Sequence, residues 1–483
     1  MYKFSQTLNK VGMKKEKEVR KETTERELEL LEKLRQHPEC CPAGSNPLAC
    51  PPMNRLAVLL LVAVGISIAP SVRAQDNWTQ FRGPLGNGIT LSRRLPLRWS
   101  ETNNIIWKTA IHGKAWSSPV IWSNSVWMTT ATPEGRELSV LKVDRLSGKI
   151  LMDKILFDIE KPQYADRFNS YASPTPIVDE GHVYLTFGSP GTVCLDADTG
   201  KVLWERRDFV CNHFRGAASS PVLFLDRLLL NFDGSDQQYV VALDKKTGQT
   251  LWQTKRSVDF RDLKPDGKID RDGDIRKAFS TPLVLLHDGQ FQVISLGSKA
   301  LYSYDFATGR ERWRTEDPTA HSGSVRPVAG LGLIFACTGL SKGQLWAIRP
   351  GGSNVVTDSH VVWKVTRNVP TRPSPVLAGE LLYLVDDGGI ASCLVAKTGE
   401  ELWRERIGGN YSSSPIASGN RLYFLNEEGK ATVLEQGRVF KILAQNQLDD
   451  GFMASPAVYG RSLFLRTKTH LYRIEEKLAE AGR

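Results

Sequence analysis

Cysteine is scarce in this chain and poorly spaced for metal binding. Seven occur in 483 residues, and three of them (Cys40, Cys41, Cys50) precede the main apolar run. Cys194, Cys211, Cys337 and Cys393 stand far apart, and no C-x-x-C pair exists. That excludes the usual zinc-site spacing and c-type haem attachment. The four read as buried free thiols in strands, with a Cys194–Cys211 disulfide left open for an oxidising compartment. Long hydrophobic runs are lacking too. Leu56–Ala69 is about 14 residues, short of the ~20 that span a bilayer. A concentrated positive face is also missing. The formal charge is +10, and the first 74 residues hold 12 basic and 8 acidic groups, which leaves +6 for the remainder. No Lys/Arg run follows Ala74, so nucleic acid is not an expected partner.

The N-terminal part divides by composition. Residues 1–52 carry a charged, helix-prone run (Lys14–Arg35) and a Cys/Pro-rich stretch, and read as a non-native extension or a tail. Met53-Asn54-Arg55, the apolar run and Val72-Arg73-Ala74 have the order of a secretory signal peptide, over 53–74. No Cys follows in a lipoprotein-like position, so no stable membrane anchor is expected after cleavage, and the expected location is periplasmic or secreted. Residues 75–103, with W-T-Q-F-R-G-P-L-G-N-G (Trp78–Gly88), read as an ordered lead-in draped over the domain.

From Asn104 the chain repeats. The string L-D-A-D-T-G-K-V-L-W (Leu195–Trp204) reads as a β-hairpin and returns at Ala242–Trp252, Tyr304–Trp313 and Leu394–Trp403. Gly200 suits a turn position of positive φ, and Asp and Thr favour the same turn through side-chain bonds to nearby backbone. A second signal is a proline opening an apolar strand. It recurs as S-S-P-V (Ser117–Val120), S-P-T-P-I-V (Ser173–Val178), S-S-P-V-L (Ser219–Leu223), S-T-P-L-V (Ser280–Val284), R-P-V (Arg326–Val328), P-S-P-V-L (Pro373–Leu377), S-S-P-I (Ser413–Ile416) and A-S-P-A-V (Ala454–Val458). Pro is tolerated at the start of a strand. Eight units at this spacing predict an all-β, eight-bladed propeller of four-stranded antiparallel blades over 104–476. A Trp stands near the end of most fourth strands, with Met152 and Phe440 in the two other places. The last unit is one strand short, so Asn104–Lys108 is expected to supply its outer strand and close the ring.

These strings resemble the repeat of pyrroloquinoline-quinone (PQQ) dehydrogenases, and equally that of the outer-membrane barrel assembly lipoproteins. The resemblance implies that each Trp packs between blades and each Gly serves a turn. A working quinone dehydrogenase of that kind would need Ca²⁺ beneath PQQ, an Asp base and, in many, a disulfide between adjacent cysteines. The adjacent pair here, Cys40-Cys41, lies upstream of the signal segment. Fold alone does not assign function. The expectation is therefore a binding or scaffolding propeller for an envelope protein or a small anionic ligand, with no cofactor; a PQQ-dependent alcohol or sugar dehydrogenase is the alternative.

The segments ahead of each proline strand should converge on one face of the ring. They offer Lys114, His213, Arg215, Lys277, His321, Arg326 and Arg372, with Trp116, Tyr171 and Tyr411. Cations among aromatics in a funnel suit a carboxylate-bearing or planar ligand. No H-x-x-x-H supports a metal at His213 or His321. The loop Pro265–Asp274 matches the first acidic places of an EF-hand and then fails, with Ile275 where the turn Gly belongs and Thr281 where the Glu belongs. It reads as a solvated acidic loop. No serine or cysteine nucleophile is proposed; the serines of S-S-P have backbone bonding as a sufficient role.

Overall fold

The structure, a computed structural model, describes residues 77–476 except Arg93 and Lys342, and leaves the side chains at 270–272 and 341 undescribed. The extension 1–52 and the signal peptide 53–74 read from the sequence lie outside the described residues.

Eight blades of four antiparallel strands follow one another along the chain, and the sheets of blades 4 and 7 each carry a short parallel fifth strand, Asn354–Val355 and Ile89–Thr90. Blade 1 comprises Val120–Trp122, Ser125–Ala131, Glu137–Asp144 and Ile150–Asp158. The innermost strands of blades 2 to 7 are Ile177–Asp179, Val222–Phe224, Leu283–His287, Val328–Gly330, Val376–Ala378 and Ile416–Ser418. Blade 8 contributes Ala457–Tyr459, Ser462–Arg466 and His470–Ile474, and takes its fourth strand from Ile105–Ala110. That strand runs antiparallel to the last, from Ile105 opposite Ile474 to Ala110 opposite His470. Closing the ring with both ends of the chain removes the open ends of the array.

The hairpins form as their sequence dictates. In blade 2, Asp196 Oδ1 accepts from Thr199 N (2.8 Å) and from the Thr199 hydroxyl (2.6 Å), and Gly200 takes φ +68°. The following Trp204 donates its indole N–H to Lys245 O of blade 3 (3.0 Å) and lies on Gly248, where a Cβ would collide with the ring. Trp252, Trp363 and Trp107 make the same contact with Phe306 O, Ala396 O and Arg145 O of the following blade. Blade 7 departs from the sequence reading. Its outer strand is Ile442–Gln447, and Ala444 stands at the tryptophan's register place, opposite Val433, as Trp403 stands opposite Cys393 in blade 6. Phe440 precedes that strand and packs on Trp403, with ring centroids 5.2 Å apart. The apolar cores lie between blades; one cluster joins Ile121 of blade 1, Phe464 of blade 8 and Tyr423 of blade 7. Cys194 and Cys211 are separate buried thiols, so no disulfide joins them.

The lead-in takes a path that no local pattern encodes. Trp78 bridges Ile121 of blade 1, and Thr79 O accepts from Val178 N of blade 2. Phe81 O then accepts from Arg326 of blade 5, Arg82 donates to Pro375 O of blade 6, and Ile89–Thr90 pairs in parallel with blade 7. A segment touching blades 1, 2, 5, 6 and 7 in succession crosses the axis of the ring. It therefore spans the channel instead of draping over the domain.

Candidate functional site: the axial cavity

Each innermost strand is preceded by a hydroxyl residue directly before its proline, with one exception. Ser118 N donates to Thr175 Oγ1 (2.9 Å), Thr175 N to Ser220 Oγ (2.9 Å) and Ser220 N to Thr281 Oγ1 (3.0 Å). On the other side Arg326 N donates to Ser374 Oγ (3.0 Å), Ser374 N to Ser414 Oγ (2.9 Å), Ser414 N to Ser455 Oγ (2.9 Å) and Ser455 N back to Ser118 Oγ (3.0 Å). Backbone N–H groups that face a channel have no sheet partner, and the neighbouring blade's hydroxyl satisfies them. Blade 5 alone places an arginine, Arg326, at the hydroxyl position.

Above this ring opens a cavity of about 460 Å³, lined by all eight blades and by Phe81 of the lead-in. Trp116, Phe168, Phe279 and Met453 supply its apolar surface, and Asp166, Arg215, Arg372 and Asp387 its charges. These charges are already matched. Arg215 lies 3.7 Å from Asp166 and 3.8 Å from Asp274. Arg372 lies 3.2 Å from Asp387 and 3.1 Å from Glu427, with its guanidinium 4.4 Å from the centre of the Phe168 ring. Asp387 also accepts from the Thr371 hydroxyl and from Thr371 N.

Of the residues singled out in the sequence, Trp116, Arg215 and Arg372 line the cavity. Lys114 sits over Trp116, donating to Arg167 O (2.7 Å), and burial lowers its pKa. Tyr171 packs against Gly135 of blade 1. His213 is buried; its Nε2 accepts from Ser189 N (3.0 Å), and burial pushes its pKa down to about 4. Lys277 is buried against Asp274 and 4.6 Å over the Phe214 ring. Burial, then Arg215, lowers it to about 8. His321 bonds Ser322 Oγ (3.0 Å), and its pKa is lowered by burial and by Lys277, Lys299 and Arg215. Tyr411 is wholly buried in the core joining blades 6 and 7. Arg326 is buried against the lead-in.

The sequence reading missed Asp387 and Glu427. They stand in the loops that join second to third strands. Antiparallel strands return those loops to the face where the first strand begins, so Asp387 lines the cavity and Glu427 reaches its Arg372. Their signal was D-D-G-G (Asp386–Gly389) and N-E-E-G (Asn426–Gly429), directly after apolar strands. The cavity's carboxylates are engaged by arginines, and among the described residues no group of three His, Cys, Asp or Glu is placed to hold a metal ion.

An eight-bladed propeller with a charge-matched axial cavity defines the class of protein. A family model described as outer membrane protein assembly factor BamB matches residues 139–264 and 236–478, and the chain belongs to that family. BamB of Yersinia pestis is 22% identical over 274 residues, 55% of this chain and 64% of that protein. The chain spans less than two thirds of the length of the curated BamB relatives it matches. Among solved structures, quinohemoprotein alcohol dehydrogenase from Comamonas testosteroni superposes with a TM-score of 0.59 at 12% identity, covering 84% of this chain and 82% of that one. BamB from Moraxella catarrhalis superposes with 0.51 at 12% identity, covering 77% and 99%. These structural likenesses carry the fold alone.

Proposed function

We propose that this protein is a periplasmic binding or scaffolding propeller, serving outer-membrane protein assembly, and not a quinone dehydrogenase. The supporting observation is the state of the axial cavity. A dehydrogenase base must be free to take a proton from substrate. Here Asp166 faces Arg215, and Asp387 is engaged by Arg372 and Thr371. What remains is a cup with aromatic walls, a shape that holds a protruding side chain or small ligand. The family's printed role, outer membrane protein assembly, supplies the partner class.

Two measurements on the full chain test the reading. Incubated with PQQ and Ca²⁺, it should reduce no redox dye with a panel of alcohols and sugars. A photo-crosslinker at Met453, on the cavity wall, should trap a component of the outer-membrane assembly machinery in intact cells. Dye reduction dependent on PQQ, or no such adduct, overturns the proposal.

A further inference from the structure

Two arginines meet where the lead-in crosses the axis, and neither has a counter-charge. Arg82 and Arg326 are 1% and 2% exposed. Arg82 Nη2 donates to Pro375 O (2.7 Å) and Asn87 O (3.1 Å), and Arg326 Nη1 to Phe81 O (3.0 Å). Arg82 Nε, Arg82 Nη1 and Arg326 Nε are buried with no hydrogen-bond partner among the described residues. No described carboxylate forms an ion pair with either side chain. Glycines let the backbone come this close: a Cβ on Gly86 would collide with the Arg326 guanidinium, and one on Gly88 with that of Arg82.

Burial and the mutual repulsion lower Arg82 to about 9, and burial lowers Arg326 to about 10. Both stay protonated at neutral pH, so the site carries two buried positive charges. Burying an uncompensated ion costs several kcal/mol, and a water molecule satisfies donors without cancelling charge. Arginine also cannot escape by losing its proton, as a buried lysine or histidine can.

We infer that Arg82 and Arg326 bind a small inorganic anion of the chloride class between lead-in and propeller, held by N–H donors that the protein leaves unpartnered on each guanidinium. Such an ion ties the lead-in to blade 5, beside the Arg82–Pro375 bond to blade 6, and so stabilises the crossing of the channel. This site is distinct from the matched charges of the cavity and does not depend on the identity of the envelope partner.

The test uses the full chain with chloride and bromide as probes. Crystals soaked in bromide should show an anomalous peak within hydrogen-bond reach of both guanidinium groups. In solution, replacing gluconate by chloride at fixed ionic strength should raise Tm by roughly 2–5 °C. Arg326→Ser supplies the missing eighth hydroxyl of the ring, so the variant should fold and lose that chloride response. Arg82→Met should lose it too. A bromide map without a peak at the pair, or a Tm equal in chloride and gluconate for the unaltered chain, overturns the inference. So does a chloride response that survives in Arg326→Ser.

Discussion

The protein buries arginine in two opposite ways. At the seam of blades 3 and 4, Arg256 meets Asp233 with both side chains 1% exposed. Its Nε donates to Oδ1 (2.9 Å) and its Nη2 to Oδ2 (2.7 Å), a bidentate pair. Nη2 also donates to Ser295 Oγ and Nη1 to the Tyr304 hydroxyl, and the Tyr302 ring lies 4.9 Å away. Burial opposes the charge on Arg256, but the carboxylate outweighs it and the pKa rises. On the channel axis, Arg82 and Arg326 have carbonyl oxygens and no carboxylate, and their pKa values fall. The same side chain is thus a closed structural joint in one place and an open electrostatic demand in the other. Arg466 of blade 8 is also buried without a carboxylate, its Nη1 bonded to Ser117 O, Ser117 Oγ and Thr129 O; the axial pair differs in that two such charges act on each other, Arg326 lowering Arg82.

Breaking the closed joint gives the largest effect. Asp233→Asn keeps the shape and removes the charge, leaving Arg256 buried and unpaired. The expected loss is about 3–5 kcal/mol of unfolding free energy, read from urea denaturation. A loss below about 1 kcal/mol would mean that the tyrosines and Ser295 suffice to hold Arg256, and the contrast with the axis would fail.

His213 shows a third way of handling a buried base: it gives up its proton. The Phe232 ring lies tilted 6.3 Å away, Cys211 Sγ lies 3.6 Å away, and burial lowers its pKa to about 4, with Asp236 opposing. The unfolded value is about 6.5. The unfolded chain therefore binds more protons between those values, and stability contributed by neutral His213 is complete above pH ~6.5 and lost as pH falls through about 4. From pH 7 to 4 that contribution is about 3 kcal/mol. His213→Gln keeps an acceptor for Ser189 N and should flatten the stability profile over this window relative to the parent. Parallel profiles would show that His213 takes up its proton as readily in the fold as in the unfolded chain.

Much of this was legible in the sequence and some was not. The proline-strand period gave eight blades, and the missing last strand located the closing segment Ile105–Ala110, because propeller blades are local units. The substitution of Arg326 for the ring hydroxyl stood in plain view as R-P-V against S-P and T-P. Its consequence did not, since the Arg326–Phe81 bond joins residues far apart in sequence. His213 and Tyr411 came from the right segments, yet their side chains turn into the core; segment position fixes the face and not the direction of one side chain. The reading of the funnel as a cationic ring took its bases from one set of loops. The balancing acids Asp387 and Glu427 sit in another set.

The mouth of the cavity supplies the smallest and most discriminating test. Arg372, like Arg256, pairs with carboxylate, and on a contact list the two look alike. Its side chain is 27% exposed, against 1% for Arg256. Water screens the pair and solvates whichever partner is left, so exposed pairs contribute roughly 0–1 kcal/mol. Arg372→Met should therefore cost less than about 1 kcal/mol in urea denaturation, while leaving Asp387 and Glu427 as net negative charge at the mouth. Binding of a cationic probe should then strengthen, and the gain should fade with salt as the charges are screened. A loss near that of Asp233→Asn would show that the mouth is as closed to water as the seam, and that its charges hold the fold together in place of presenting a surface.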